Sequence, residues 1–421
     1  ERRKSPRIIK EKTDIRKSKN LFYNAIRKLI SYVKNNLFYF ILILFSNFYT
    51  PTIIVSNPYF KRRSLRNKIY LFIRSKGRMF FFNPIIKNKY LYSDTIYEFR
   101  NSKKGIPRTF NDIAYNLVKR NIPRVYLEYH QDYTKHVNKF YNINNNISWL
   151  TFQWSGNTVF QYIAALKYSK SNILLAQHGS GYGIDKMHSL EKNERAVSTE
   201  YFTYGWKESK KTIPLSQPDL DFSKKIDRNK NAILFVSTTR PIHLVRFHNG
   251  SNSSQNLIDN VDFPITFLKN CKYNQHIIAR FHETDPNSWN NYERIRKKMR
   301  YLKKDQNKSF YISLSKAKMM ISDHLGTTFY ECLQANIPVV IFLNKRTYLF
   351  RENGETLIEK LVKNKIIFFN PRDASLFVNN KYENIDDWWS SSKIQSIRKE
   401  VLTKQFNISK DWMGDWCEKL L

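Results

Sequence analysis

A chain of 421 residues with 72 Lys/Arg against 35 Asp/Glu carries a formal net charge of +37, and 41% of its residues are hydrophobic. That length exceeds one ordinary core and points to two domains, while the apolar content excludes an intrinsically disordered chain. Cys271, Cys332 and Cys417 are odd in number and far apart, which excludes a disulfide framework or a zinc-type spacing and suits a reducing cytoplasm.

The charge favours anionic partners: nucleic acid, phospholipid head groups or phosphorylated substrates. Abundant Lys, Asn, Ile, Tyr and Phe is also the residue set of an AT-rich genome, so part of the basicity is compositional. Residues 1–35 hold 12 Lys/Arg and 3 Asp/Glu and read as a basic arm. The apolar run Leu37 to Tyr49 follows, shorter than the roughly 20 residues a spanning helix needs. It reads either as a buried helix leading into a strand at "TIIVS" or as a membrane-contacting segment beside the arm. No secretory cleavage pattern is present, so the expected location is cytoplasmic, peripheral on the inner face of the cytoplasmic membrane.

From about residue 110, helical segments alternate with short β-rich runs. "RVYLEY" (124–129), "ISWLTF" (147–152) and "NILLAQ" (172–177) read as strands, and "TVFQYIAALKYS" (158–169) as the helix between two of them. A polar stretch without periodicity, carrying Pro214 and Pro218, is the predicted linker. A second series follows: strand "AILFVSTT" (232–239), helical or mixed material from Leu257 to Cys271, and strand "HIIARFH" (276–282). It continues with a basic helix "YERIRKKMRYLKK" (292–304), strand "AKMMISD" (317–323), helix "GTTFYECLQAN" (326–336) and strand "PVVIFLN" (338–344). The end is helical and Trp-rich. These halves predict an α/β protein of two Rossmann-like domains facing a central cleft, with ligands at the carboxyl ends of the strands. The expected boundaries are an arm at 1–35, a first domain at 36–210, a linker at 211–231, a second domain at 232–385 and a helical tail at 386–421.

"ISDHLGTTFYECLQANIPVVIF", Ile321 to Phe342, ends a buried strand at Asp323, passes His324 and Gly326, and opens a helix with Thr327 and Thr328. Exposed N–H groups of a helix start beside two hydroxyls suit a phosphate. Glu331, at the capping-box spacing from Thr328, is placed to accept from a ribose. An ordinary capped helix fits the spacing equally well. "ARFHETD" puts Arg280, His282 and Asp285 at the exit of another strand of the same half, where Arg and His suit a diphosphate or a sugar carboxylate. A plain ion pair of Arg280 with Glu283 or Asp285 is the alternative.

"AQHGSGYG", Ala176 to Gly183, holds three of the chain's 11 glycines. His178 has the pKa range of a general base that takes a proton from an attacking hydroxyl. Gly179, Gly181 and Gly183 permit positive φ and close approach of a ligand. With Gln177 and Tyr182 they form the loop expected around the transferred sugar or the acceptor. The G-x-G-x-G spacing is neither the dinucleotide fingerprint nor a P-loop, which argues against NAD or ATP. Glu191 and Glu194 either orient His178, bind acceptor hydroxyls, or are solvated helix charges. Asp185, Glu191 and Asp323 are the carboxylates available for a double displacement. No metal constellation stands out, so neither a metal nor a cofactor beyond a nucleotide-sugar co-substrate is expected.

Taken in order, "QHGSGYG", the E-x-x-E before "YFTYGW", "RFHETD" and "SDHLGTTFYECLQANIPVVIF" with a Trp-rich end resemble a family of bacterial surface-polysaccharide transferases of the O-antigen type. The C-terminal half is similar to CDP-glycerol glycerophosphotransferases and distantly to bacterial Kdo transferases. The resemblance covers residues 110–421 and implies a GT-B architecture with the nucleotide-linked donor on the C-terminal domain. It implies Thr327, Thr328 and Glu331 on the nucleotide, Arg280 and His282 near phosphate or sugar, and His178 as the catalytic-site histidine. It departs at Ser180, Thr199 and Phe281-His282, which bears on substrate specificity more than on fold. The implied activity is metal-independent transfer of a sugar from a nucleotide donor, preferably of cytidine, to a surface polysaccharide or lipid-linked glycan at the inner membrane. CDP-polyol phosphotransfer on the same fold is the alternative; nucleic-acid binding through the charge is the reading from another class, with no specific nucleic-acid partner expected.

Overall fold

The computed structural model describes residues 52–56, 64–81, 94–102, 108–140, 147–167, 171–218, 231–238, 254–281, 288–307 and 309–421. The basic arm, the apolar run Leu37 to Tyr49, His282 and Asp285 lie outside them.

Two six-stranded sheets, parallel throughout, form the two domains. The first holds β1 (Ile53–Ser56), β2 (Met79–Phe81), β3 (Ser148–Thr151), β4 (Ile173–Ala176), β5 (Glu200–Thr203) and β6 (Thr212–Pro214), in the order β2-β1-β3-β4-β5-β6. Helices α1 (Ser64–Arg74), α2 (Asp94–Asn101), α3 (Phe110–Asn121), α4 (His130–Phe140), α5 (Thr158–Lys167) and α6 (Ser189–Val197) belong to this half. The second sheet holds β7 (Ala232–Ser237), β8 (Ile277–Phe281), β9 (Lys303–Lys304), β10 (Ala317–Ser322), β11 (Val339–Phe342) and β12 (Ile367–Phe368), in the order β12-β11-β10-β7-β8-β9. Its helices are α7 (Ser254–Asn270), α8 (Asn291–Lys298), α9 (Phe310–Ser315), α10 (Thr327–Gln334), α11 (Glu352–Lys363) and α12 (Pro371–Lys381).

The central strands are near-continuous apolar runs, "ILLA" in β4 and "VVIF" in β11, and every residue of both is buried. A strand covered on both faces has no polar face to offer, which is why these runs pair in parallel under crossover helices. The expected fold class, two Rossmann-like domains in the GT-B manner, is what the two strand orders describe.

Local expectations differ in four places. "RVYLEY" makes a 3-10 turn at Arg124–Tyr126 rather than a strand. Arg100 takes the carbonyls of Arg120 and Ile122 at 3.2 and 2.9 Å, and Tyr126 bonds Gln161 of α5 at 2.6 Å, so the segment packs on helices rather than in a sheet. The basic helix of 292–304 stops at Lys298, and Lys303–Lys304 forms the edge strand β9. Strand β6 lies inside the expected linker. The start of α10 is not a capping box: Gly326 is its N-cap, with no side-chain cap bond.

The tail, α13 (Ile385–Ser390), α14 (Ser392–Gln405) and α15 (Trp412–Leu420), joins the halves. Ile394, Val401 and Phe406 enter the core of the second domain. Trp416 sits under the first sheet against Phe152 and Phe202, with centroids 5.1 and 5.4 Å apart. Between them Phe406 stacks on Tyr330 of the second domain at 4.7 Å and meets Tyr204 of the first edge-on at 5.4 Å.

Candidate functional site

The exit of β4 faces the start of α10 across the cleft: a Cβ built on Gly179 would lie 3.9 Å from Thr327 Oγ1. The β4 loop gets its shape from Gln177, which is 1% exposed. Its Oε1 accepts from Tyr204 N at 3.0 Å and Trp206 Nε1 at 2.8 Å, and its Nε2 donates to Gly179 O at 2.8 Å. Gln177, expected around the sugar or acceptor, is therefore a brace beneath the loop. Gly181 and Gly183 adopt φ of +88° and +72°. At Gly183 a Cβ would also come within 2.6 Å of the Trp206 ring, so glycine is required twice over.

His178 meets Tyr182 and Glu194 of the first domain. Its Nδ1 lies 3.0 Å from the Tyr182 hydroxyl and 3.8 Å from Glu194 Oε1. The Tyr182 and Tyr201 hydroxyls donate to Glu194 Oε1 and Oε2 at 3.5 and 2.9 Å. The direction of the Tyr182–His178 bond follows the imidazole tautomer; in the one where Tyr182 donates to Glu194, its oxygen accepts Nδ1–H and Nε2 is the basic nitrogen. Burial pushes Glu194 up to about 8 against the two tyrosine bonds, and pulls His178 down to about 4. The imidazole is thus neutral at pH 7, the form a proton acceptor needs.

Glu191, the other candidate on α6, has no exposed surface. Its Oε2 accepts Gly183 N–H at 2.9 Å, and its Oε1 meets Arg195 at 3.0 Å and Arg351 of the second domain at 2.9 Å. Both arginines also bond Glu208, at 2.6 and 2.8 Å. Two acids and two arginines so arranged hold the loop against the second domain. Asp185 forms an antiparallel bridge with Phe350, where Lys186 N donates to Leu349 O and Arg351 N to Ile184 O, each at 2.8 Å. Arg351 and Glu208 were not legible in this cluster, because folding brings their partners in; Arg195 pairs locally with Glu191 at i,i+4, and its bond to Glu208 depends on the fold.

On the opposite wall Asp323 follows β10. Its carboxylate accepts from Ser237 Oγ of β7 at 2.5 Å and meets His324 Nδ1 at 2.9 Å, tying two strand exits together. The His324 ring closes over Gly326, where a Cβ would lie 2.7 Å from Nε2. Thr327 and Thr328 open α10 as expected, and Thr328 Oγ1 is buried with no hydrogen-bond partner among the described residues. Glu331, expected on a ribose, is 3% exposed and accepts from Tyr311 at 3.2 Å. Arg280 is also engaged, through Nη1, by Asp305 at 2.6 Å and Asn307 O at 2.8 Å. Asp305 is an ion-pair partner of Arg280; Glu283 and Asp285, the partners in the ion-pair alternative, lie outside the described residues. The cleft thus brings Gly179, the neighbour of His178, opposite Thr327, while Glu331 is buried in the second domain and Arg280, partly exposed, is held by Asp305.

No protein of curated function matches the sequence. Among solved structures, a glycosyltransferase from Rickettsia africae is similar at 10% identity over 88% of this chain and 99% of its own, with a TM-score of 0.44. Acinetobacter baumannii MurG is similar at 8% identity over 87% and 98%, with a TM-score of 0.41. The pneumococcal O-GlcNAc transferase GtfA, in complex with UDP and GlcNAc, is similar at 8% over 70% of this chain, with a TM-score of 0.40; the chain spans 59% of its length. The fold assignment rests on the two strand orders and not on these likenesses. The sequence itself matches a family model across residues 1–420, and the chain belongs to the LIC12162 family of transferases.

Proposed function

We propose that the chain transfers a sugar from a nucleotide-linked donor to a hydroxyl of a glycan or lipid-linked acceptor, with the cleft between the β4 loop and α10 as its site. The observation that supports this reading is the facing of His178's loop and the α10 start, where a Cβ added at Gly179 would lie 3.9 Å from Thr327 Oγ1. In this mechanism Nε2 of His178 takes the proton of the acceptor hydroxyl. The oxygen then bonds to the anomeric carbon as the bond from that carbon to the phosphate oxygen breaks. The departing phosphate is received by the N–H groups at the start of α10 and the Thr328 hydroxyl. The family resemblance favours a cytidine nucleotide and a surface-polysaccharide acceptor, reached by an enzyme peripheral on the inner membrane. Among the described residues no helix is long and apolar enough to cross a membrane.

Thermal-shift measurements against CMP, CDP, UDP, GDP and TDP test the donor site. One nucleotide is expected to raise the melting temperature of the wild type and of His178→Ala but not of Thr328→Val, while His178→Ala loses turnover. A wild type that no nucleotide stabilises, or a His178→Ala variant with full turnover, would overturn the assignment. A product carrying a new phosphodiester in place of a glycosidic bond would select polyol-phosphate transfer instead.

A further inference from the structure

Helix α3 is turned inside out. Its buried side chain is Lys119, whose Nζ donates to the Ser102 hydroxyl at 2.9 Å beside α2. Phe110, Ile113, Leu117 and Val118 point the other way and are 82, 47, 57 and 62% exposed. At 3.6 residues per turn these four span about 140° of the helix surface, roughly opposite Lys119. A helix bathed in water turns such a stripe to the core; this one turns it outward.

The rim of the stripe says what meets it. Tyr115, 46% exposed, stands at one edge and Arg120, also exposed, at the other, with exposed Arg108 and Arg124 at the two ends. The acid of the helix, Asp112, is taken up by the capping box with Thr109 on the side away from the stripe. Arginines and a tyrosine around an apolar stripe match the head-group region of an anionic bilayer, where cations meet phosphates and apolar side chains reach the acyl boundary. A second copy of the chain is a poorer fit, since apposed stripes would bring like-charged arginine rims together.

We propose that α3 is a membrane-docking helix that lies in the interface of an anionic leaflet with Phe110, Ile113, Leu117 and Val118 facing the lipid. The inference does not depend on which group the cleft transfers, nor on the basic arm.

Cys271, Cys332 and Cys417 are buried, so Leu117→Cys in the full chain accepts an environment-sensitive NBD label at one accessible thiol. Ile312→Cys, at a 43% exposed position on α9 of the second domain, is the control. With phosphatidylglycerol-phosphatidylcholine vesicles the 117 label is expected to shift to the blue and brighten several-fold, and the 312 label to stay unchanged. A Phe110→Ser/Leu117→Ser/Val118→Ser variant is expected to keep the wild-type melting temperature and to lose about tenfold or more in vesicle partition at a salt concentration that screens the arginines. Protein that sediments with vesicles while the 117 label stays in water overturns the proposal, as does a triple variant that partitions like wild type. A blue shift that needs no lipid and follows protein concentration overturns it in favour of self-association.

Discussion

Arg351, the residue before α11 of the second domain, reaches Glu191 of α6 in the first domain at 2.9 Å. The same carboxylate accepts the Gly183 N–H of the His178 loop, so the pairing of the domains and the shape of the loop share one anchor.

Arg351→Ala leaves a fully buried carboxylate with one of its two arginines. A loss of about 1–3 kcal/mol is expected in urea unfolding, together with reduced turnover from a loosened loop. Arg351→Lys should recover only part, because a single ammonium cannot span Glu191 and Glu208 as the guanidinium fork does. Wild-type stability in Arg351→Ala would show that the clamp carries no weight.

The pH dependence of stability has two opposed parts. Glu194 holds its proton more tightly folded, at about 8, than its ordinary 4.5. Its contribution is therefore complete below pH 4.5 and lost as pH rises to 8. His178, at about 4 against an ordinary 6.5, contributes fully above pH 6.5 and loses that contribution as pH falls to 4. The two slopes oppose each other between pH 4.5 and 6.5, and above 6.5 only the Glu194 decline remains. Glu194→Gln should flatten the fall in melting temperature between pH 6.5 and 8. In the free enzyme the acid limb of kcat/KM set by His178 should lie near pH 4 rather than 6.5.

The loop glycines divide by their surroundings. Gly183→Ala meets the Trp206 ring at 2.6 Å at a φ of +72°, and should cost about 2 kcal/mol or more. Gly179→Ala meets nothing nearer than Thr327 Oγ1 at 3.9 Å. It should leave the melting temperature unchanged while lowering turnover, because the added methyl enters the cleft. Equal melting temperatures for the two variants would contradict the loop geometry.

Arg280→Met separates a structural role from a donor-binding one. Asp305 is raised by burial and lowered more by its bonds from Ser313, Asn307 and Arg280, so its carboxyl sits below the ordinary range. Removing the arginine strands that charge, and a loss of about 2–4 kcal/mol is expected. Nucleotide affinity of the folded fraction should change little. A large fall in affinity with unchanged stability would return Arg280 to the donor site.

Much of the architecture was legible because it follows from period and composition. The apolar runs 173–176, 232–237, 317–322 and 339–342 are strands, as their length and bounding turns required. The helix before Asn336 and its two threonines were equally plain. The short edge strands, Thr212–Pro214 and Lys303–Lys304, carry no apolar signal and exist only because a sheet edge is there to pair with. "RVYLEY" shows the reverse: a strand-like composition packed against helices is a turn.

For the site, the sequence by itself determined the loop of His178 and the helix opened by Thr327 and Thr328, because glycine conformation and helix-start chemistry are local properties. What each carboxylate and arginine does was decided by the tertiary structure. Glu194 came to lie behind His178, Glu191 became a domain clamp, and Arg280 was taken by Asp305. Charges separated by up to 160 residues meet only when two sheets pack, and burial then selects the partner and sets the pKa.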